Sequence, residues 1–475
     1  MDSITKYASL KDIWDTSVSN IGETFPSENG HTSIFIYTHK YKLQKNKVKT
    51  IESFTKDKWT YENTNNKYRN ISKLTKYIQE TILSSNNMIF SKDIKQKHEL
   101  WIDGNKKTNF TIESYECTLF NDGVFLFSLF TTSDDNVHNI STMLNRELRN
   151  PSCLYYDKKF NRFLSFDNIL KDVDELKSIY CLNNQTTLIS FNKYLSDEVF
   201  NKEIINIKDI DDGKSKYAKY ITAVHCNIED KLEEELVYGY PELQHETDVA
   251  LNVLQLCTNN LATANDFIVA DRKFEQDINY VRQCIKDYGI RLWTLWSGVP
   301  SLNSLAFLSI NKGGRAIIHQ CRGELYIIYI LNIYIKHRLQ NIDRNIIDDN
   351  FMQINKAKRN LENLLELKSK YFSEEIADSF QPIIIDKKIK TAIGIDNLLS
   401  NIEENTIKTN ELVTENSSTA IALIVAIYAL INTLIPFFTN SKIIQFSLLF
   451  LGIAGALLFW VKRNKLGKYI DYFLK

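Results

Sequence analysis

The spacing of hydrophobic and polar residues changes along the chain, and short apolar runs of the kind that form strands dominate the first 235 residues. The stretch 98–132 divides into three strands, because Asp103-Gly104 and Asn121-Asp122-Gly123 accept the positive φ of tight turns. Ser133 then opens a predicted helix that ends before Pro151. Further strands are predicted at 32–43, 186–190 and 217–226. This pattern predicts a cytosolic mixed α/β domain over residues 1–235.

Residues 236–385 instead place apolar side chains at three- and four-residue steps, which is the period of an amphipathic helix. The stretch 249–285 follows this period, and a further helix is predicted at 349–378. The apolar run 325–335 is too short to cross a bilayer, so it predicts a buried helix. We therefore predict a cytosolic helical region over 236–385.

A longer helix is predicted after Pro382, because no further proline occurs until Pro436. One apolar stripe runs along its first part, and its members are Ile385, Ile389, Ala392, Ile395, Leu399, Ile402 and Val413. This stripe predicts a stalk helix over 386–418. Fifty residues of continuous helix would extend for about 75 Å.

Two uncharged runs follow the stalk. Residues 419–438 and 443–461 are each long enough to cross a bilayer, and the short link between them requires an antiparallel hairpin. A pair of buried core helices is the alternative interpretation. The basic tail 462–475 places both chain ends in the cytoplasm of a bacterial inner-membrane, multi-pass protein. The predicted fold class is an α+β cytosolic domain followed by a helical stalk and two C-terminal transmembrane helices.

The composition limits the classes of partner and of function that we expect for the chain. The formal net charge is zero, so no overall field attracts nucleic acid, and no direct nucleic-acid partner is expected. The seven cysteines are scattered without a metal-binding or disulfide pattern, which indicates reduced core residues. The chain lacks the common catalytic and nucleotide-binding motifs, so we do not expect an enzyme.

Two pairs of arginines are the candidate sites for a phosphate-bearing ligand. Arg315 and Arg322 follow Gly313-Gly314 at the start of a predicted helix, where free N–H groups favour anions. Arg146 and Arg149 lie at the end of the helix that follows the three central strands. The alternatives are a plain turn for the glycines and helix-dipole partners for the second pair.

The order of a cytosolic α/β domain, a helical region, a stalk, a membrane hairpin and a basic tail resembles the CorA family of membrane proteins. The resemblance implies a homopentamer in the lipid bilayer, with the stalk and the first span lining a pore. The family's Gly-Met-Asn signature is absent, because no methionine follows Met352. Lys442 would form a ring of positive charge at the pore mouth, which opposes the entry of divalent cations.

Within such a pentamer the polar residues of the stalk and of the first span are the predicted pore lining. They are Asn410, Thr414, Ser417, Asn432, Thr433 and Asn440. Ser417 and Thr433 have an alternative role, since small hydroxyl residues in spans also bond their own helix. An amide inside a span needs a partner or water, which favours a pore-facing Asn432.

Three functions remain open from the sequence. Some CorA-like proteins lack the signature and occur as accessory effectors of type III CRISPR systems, and this chain resembles that group. That resemblance implies an antiviral membrane channel gated by a small nucleotide messenger, either a cyclic oligoadenylate or an adenylylated S-adenosylmethionine (SAM-AMP). The alternatives are a divergent divalent-cation transporter for Mg²⁺ and a membrane-anchored binding scaffold without a pore.

Overall fold

The computed structural model describes thirteen stretches of the chain. They are residues 30–40, 47–62, 74–75, 87–102, 105–133, 140–165, 188–200, 218–226, 287–293, 296–310, 315–348, 354–372 and 376–408.

Most of these stretches belong to one twelve-stranded mixed sheet. Its strands are β1 (His31–Lys40), β2 (Thr60–Tyr61), β3 (Met88–Ile102), β4 (Asn105–Leu119), β5 (Val124–Thr132), β6 (Leu154–Asp157), β7 (Arg162–Ser165), β8 (Leu188–Ser190), β9 (Lys219–Cys226), β10 (Ile290–Trp293), β11 (Trp296–Pro300) and β12 (Ser304–Ile310). The order across the sheet is β10-β11-β12-β9-β1-β5-β4-β3-β7-β6-β8, and β2 pairs with β3.

The described residues also form helices. They are α1 (Lys47–Lys56), α2 (Arg146–Leu148), α3 (Phe191–Tyr194), α4 (Arg315–Arg322), α5 (Glu324–Asp348), α6 (Ile354–Tyr371), α7 (Phe380–Ile393) and α8 (395–408). A π-helical turn, Ile140–Asn145, leads into α2, and a second, Leu195–Val199, continues α3.

The central strands follow the turn signals of the sequence. β3, β4 and β5 form consecutive antiparallel hairpins, and Gly123 adopts a φ of 87° in the turn before β5. β1 pairs antiparallel with both β5 and β9, so its side chains lie in the middle of the sheet. The strands predicted at 32–43, 98–132, 186–190 and 217–226 are therefore confirmed. Most boundaries shift by a few residues, but β3 begins at Met88, ten residues before the predicted start.

Two parallel pairs make the sheet mixed. β9 pairs with β12, and β3 pairs with β7. Because β1 is antiparallel to β9 and β5, the start of β1 lies beside the carboxyl ends of β5, β9 and β12. This edge is where the chain passes from β12 towards α4.

Both faces of the sheet are covered by apolar packing. One face carries an aromatic cluster that includes Phe35, Tyr37 and Phe127, all at most 3% exposed. On the other face, α5 packs along β5: the Tyr326 ring meets Phe130 edge-on, and its hydroxyl bonds the Ser128 Oγ at 2.8 Å. Burying one such aromatic side chain stabilises the fold by about 1.5–3 kcal/mol.

The region predicted to be helical also contributes strands. β10, β11 and β12 form an antiparallel run that joins the sheet through β9. The buried helix predicted at 325–335 is confirmed, and it is the first part of α5. The helical stretch 249–285 lies outside the described residues.

The predicted stalk is interrupted. α7 ends at Gly394, whose φ of 75° is left-handed and whose N–H bonds the carbonyls of Lys390 and Thr391. A new helix, α8, covers 395–408, and residues 409–418 lie outside the described part of the chain. The positive φ ends the first helix, because a left-handed residue cannot continue a right-handed one.

The predicted fold class and the predicted membrane localisation need correction. The described residues form a mixed α/β domain, and none of their helices is long and apolar enough to cross a membrane. The longest described helix, α5, carries Lys336, Arg338, Asp343 and Arg344 in its second half. The predicted hairpin 419–461 and the basic tail 462–475 lie outside the described residues.

The chain divides into two compact units. The first comprises Met1–Tyr334 with Ser373–Gly394, and it contains the sheet, α1 to α4, the first part of α5 and α7. The second comprises Ile335–Phe372 with Ile395–Lys475, and it contains the rest of α5, α6 and α8. The domain boundaries at 235, 385 and 418 stay predictions.

Candidate ligand-binding site

Arg322 is the best-placed cation at the edge where β1 begins. It is the last residue of α4, and its Nε donates a 3.0 Å hydrogen bond to the Thr32 Oγ1. Thr32 is fully buried in β1, so the guanidinium is anchored to the middle of the sheet. The Nη2 atom of Arg322 is enclosed and has no hydrogen-bond partner among the described residues. The anchored group thus keeps a donor for a further acceptor.

The charge of Arg322 is set by two opposing effects. Burial lowers the pKa of the guanidinium, and the neighbouring carboxylate of Glu113 raises it. An arginine pKa starts so high that the group stays charged near neutral pH. No ion pair within 4.0 Å joins these two residues in the described part of the chain. Arg322 therefore remains a cation that is not neutralised by direct contact.

Glu113 is held in its position by a β-bulge. The register between β4 and β5 shifts between Ile112 and Ser114, so Glu113 is the extra residue of β4. A bulge re-aims the side chain that it carries. The Glu113 Oε1 accepts a 2.8 Å hydrogen bond from the Thr132 Oγ1 at the end of β5. Thr132 lies one step beyond the Ser33–Thr131 pair of β5 and β1, directly beside Thr32.

A closed polar cluster lies beneath this edge, on the opposite face of β1. The Ser33 Oγ donates to the Asn145 Oδ1 at 2.7 Å and lies 2.8 Å from the Thr222 Oγ1 and 2.7 Å from the His31 Nε2. Because the Ser33 proton goes to Asn145, His31 donates through its Nε2. These four residues are at most 1% exposed.

His31 is a neutral residue of this cluster. Burial, aided by the nearby Arg322 charge, lowers the pKa of His31 to about 3. The His31–Ser33 contact has the atoms of a base and a nucleophile, but neither residue is open to a substrate. The cluster therefore fixes β1 to β9 and to the turn before α2.

The predicted pair Arg146 and Arg149 lies at that turn, next to Asn145. The Arg146 Nε forms a 3.1 Å ion pair with the Glu147 Oε1, and Ser165 donates to the other oxygen of the same carboxylate. Arg149 is only 8% exposed, and its carbonyl accepts a 2.8 Å bond from the Ala218 N–H. This pair is part of the framework of the first unit and presents little free charge.

The predicted pair Arg315 and Arg322 is split by its helix. The two residues begin and end α4, so they are roughly 10 Å apart along the axis. The structure describes the backbone of Arg315 but not its side chain, and Gly313-Gly314 lie outside the described residues. Arg322 alone carries the site geometry. The sequence did not single out Glu113, Thr32 or Thr132.

The predicted pore residues have no described structure. Asn410, Thr414, Ser417, Asn432, Thr433, Asn440 and Lys442 lie outside the described residues. Three of the cysteines predicted to be reduced, Cys117, Cys153 and Cys321, are buried and form no disulfide bond. Among the described residues no group of three His, Cys, Asp or Glu side chains could hold a metal ion.

Comparison with known proteins gives no relative. No family model, no curated protein and no solved structure matches the chain. No family evidence therefore supports a CorA-like channel or a CRISPR-associated antiviral role, and the lack of a spanning helix among the described residues contradicts the membrane description. The resemblance to the CorA family stays a prediction.

Proposed function

We propose that the α/β domain is a binding module for a small phosphate-bearing ligand of the nucleotide class, held at Arg322. The domain acts by binding and not by catalysis. This function belongs to the α/β domain alone and requires neither a pore nor a membrane location. Self-association and Mg²⁺ binding stay predictions.

The anchored guanidinium of Arg322 is the observation that carries this proposal. A guanidinium presents its N–H groups in a rigid fork that matches phosphate oxygens. Thr32 fixes the Nε of this fork at 3.0 Å, so little side-chain freedom is left to lose on binding. An enclosed donor without a partner costs about 1–3 kcal/mol, and more when it is charged. A ligand phosphate on the Nη2 would recover that cost.

The position of Arg322 in the sheet supports the same proposal. In open, mainly parallel α/β sheets, ligands bind beyond the carboxyl ends of the strands. Here the parallel pair β9–β12 presents two such ends at one edge. Arg322 reaches the start of β1, which lies beside the carboxyl ends of β5, β9 and the parallel strand β12. Arg322 is only half-buried, whereas the His31 cluster beneath it is closed. Part of the Arg322 side chain is therefore exposed at this edge.

Calorimetric titration of the full-length chain with adenosine 5′-monophosphate (AMP) tests the proposal. We expect Arg322→Gln to weaken binding at least about tenfold, because the charge-assisted bond to the phosphate is lost. Arg344→Gln removes an exposed arginine of α5 and should leave the affinity unchanged. Thermal melting without ligand is the control that tests whether both variants fold. An Arg322→Gln variant that binds AMP as the unaltered chain does would contradict the proposal.

A further inference from the structure

The carboxylate of Glu113 lies beside the Arg322 guanidinium, although binding of a phosphate does not require it. Glu113 lies next to Arg322, close enough to raise its pKa, yet the two do not pair directly. Each is tied to one of two adjacent threonines, Arg322 to Thr32 at 3.0 Å and Glu113 to Thr132 at 2.8 Å. Facing residues of neighbouring strands stand about 5 Å apart. The two threonines therefore hold the cation and the carboxylate side by side with a gap between them.

The two residues at this gap have different unused hydrogen-bonding atoms. Arg322 has a donor left on its Nη2. The Glu113 Oε1 is used by Thr132, and its Oε2 has no hydrogen bond to any described residue. A carboxylate only accepts hydrogen bonds. The pair therefore suits a ligand that carries an anionic oxygen and, a few ångströms away, a hydrogen-bond donor.

We propose that Glu113 is a second ligand contact, which accepts hydrogen bonds from the sugar hydroxyls of a ribonucleotide whose phosphate lies on Arg322. This inference rests on the proposed function and specifies the ligand class. In dinucleotide-binding α/β folds, an acidic side chain near the phosphate site accepts a hydrogen bond from a ribose hydroxyl. A simple inorganic anion would gain nothing from Glu113 and would be repelled by it.

The bulge supports a role in binding for Glu113. Regular pairing would place residue 113 within the β4–β5 ladder, opposite a single residue of β5. Pairing is also irregular on the other side of β4, where β3 has the extra residue: Ile94 and Lys95 lie opposite Glu113, between the Asp93–Ser114 and Gln96–Ile112 pairs. Bulges are frequent next to binding sites because they re-aim one side chain. The half-exposed Glu113 is accessible at this point.

The test compares AMP with 2′,3′-dideoxy-AMP, which has the same base and phosphate but lacks both hydroxyls. We expect the full-length chain to bind AMP at least about tenfold more tightly, as for a hydrogen bond to a charged group. In Glu113→Gln the two nucleotides should bind nearly alike, and inorganic phosphate should bind more tightly than to the unaltered chain, because the repelling charge is gone. Glu52→Gln, an exposed glutamate of α1, is the matched control and should keep the preference.

The outcomes separate the two proposals. Equal affinity for both nucleotides in the unaltered chain, with binding still lost in Arg322→Gln, overturns the role of Glu113 and leaves the proposed function standing. Failure of the unaltered chain to bind either nucleotide overturns both. Should Glu113→Gln fail to fold in a melting experiment, Glu113→Asp replaces it. Asp keeps the charge but is one methylene shorter, so it should lose most of the preference, and full retention would contradict the contact.

Discussion

At the scale of the single residue, the Arg322 side chain is anchored at one nitrogen and lacks a described hydrogen-bond partner at another. Its Nε is fixed to a fully buried threonine, and its Nη2 is enclosed without a described partner. Long cationic side chains usually extend their charged end into water. An arginine held back in this way is expected where the charge has a partner to bind, and Glu113 is too far away to be that partner by direct contact.

Only some of these residues could be predicted from the sequence. Arg322 was found because cations near Gly-Gly at a helix start are typical of phosphate sites. Glu113 was missed because a bulge is a property of strand register, and nothing in Ile112-Glu113-Ser114 announces one. His31 was missed because the sequence around a single histidine does not indicate whether its side chain is buried or exposed. The burial of His31 depends on pairing with β9, almost two hundred residues away.

His98 makes the stability of the fold dependent on pH. The ring stacks on Phe110, meets Phe163 edge-on and lies 3.3 Å from the Asn161 carbonyl through its Nδ1. Burial lowers the pKa of His98 from 6.5 to about 4, against the weaker opposite effect of that hydrogen bond. Between these values the unfolded chain binds more protons, so the free energy of unfolding falls as the pH falls from about 6.5 to 4.

We expect His98→Phe to reduce this acid sensitivity. Between pH 6 and pH 4.5 the slope of unfolding free energy against pH should decrease by about 1.4 kcal/mol per pH unit, the value for one proton. Urea unfolding at several pH values measures the slope. A residual slope should remain, because burial and Arg322 lower the pKa of His31 as well. A slope identical to that of the unaltered chain would contradict this account of His98.

At the scale of the element, local signals decided which predictions succeeded. The hairpins of β3, β4 and β5 were predicted because their turns carry Asp-Gly and Asn-Asp-Gly. β11 was missed because all five of its residues are buried, so its sequence lacks the alternation of a half-exposed strand. The predicted stalk helix continued past Gly394, because a single glycine is tolerated inside a helical pattern.

Two glycines distinguish steric crowding from backbone strain within these elements. A Cβ at Gly298 of β11 would overlap the ring of Phe307, its partner on β12. A Cβ at Gly394 would meet nothing within 4 Å, but the φ of 75° disfavours any L-residue. We expect Gly394→Ala to lower the free energy of unfolding by about 1–2 kcal/mol. Gly298→Ala should cost about 1–3 kcal/mol.

A second substitution at each position identifies the cause. Gly394→Asn should be milder than Gly394→Ala, because asparagine tolerates the left-handed region. Phe307→Leu, which removes the crowded ring, should rescue much of the loss in Gly298→Ala. Chemical denaturation measures all four variants. Equal losses for Ala and Asn at position 394 would rule out strain as the cause there.

At the scale of the whole molecule, the chain divides into two compact units. The first unit contains every strand and all residues of the proposed site, whereas the second contains α6, α8 and most of α5. The mixed α/β pattern predicted for the first 235 residues followed from short apolar runs and turn signals. The extension of the sheet by β10–β12 did not, because their pairing with β9 joins segments far apart in sequence.

Hydrogen exchange of the full-length chain with and without AMP is the measurement that tests the central claim most directly. Binding at Arg322 should slow exchange in β1, at the end of β5 and in α4, because the ligand holds these elements together where they meet. Exchange in α6, which belongs to the second unit, should not change. Bound AMP that slows exchange only outside β1, β5 and α4 would contradict the assignment of the site.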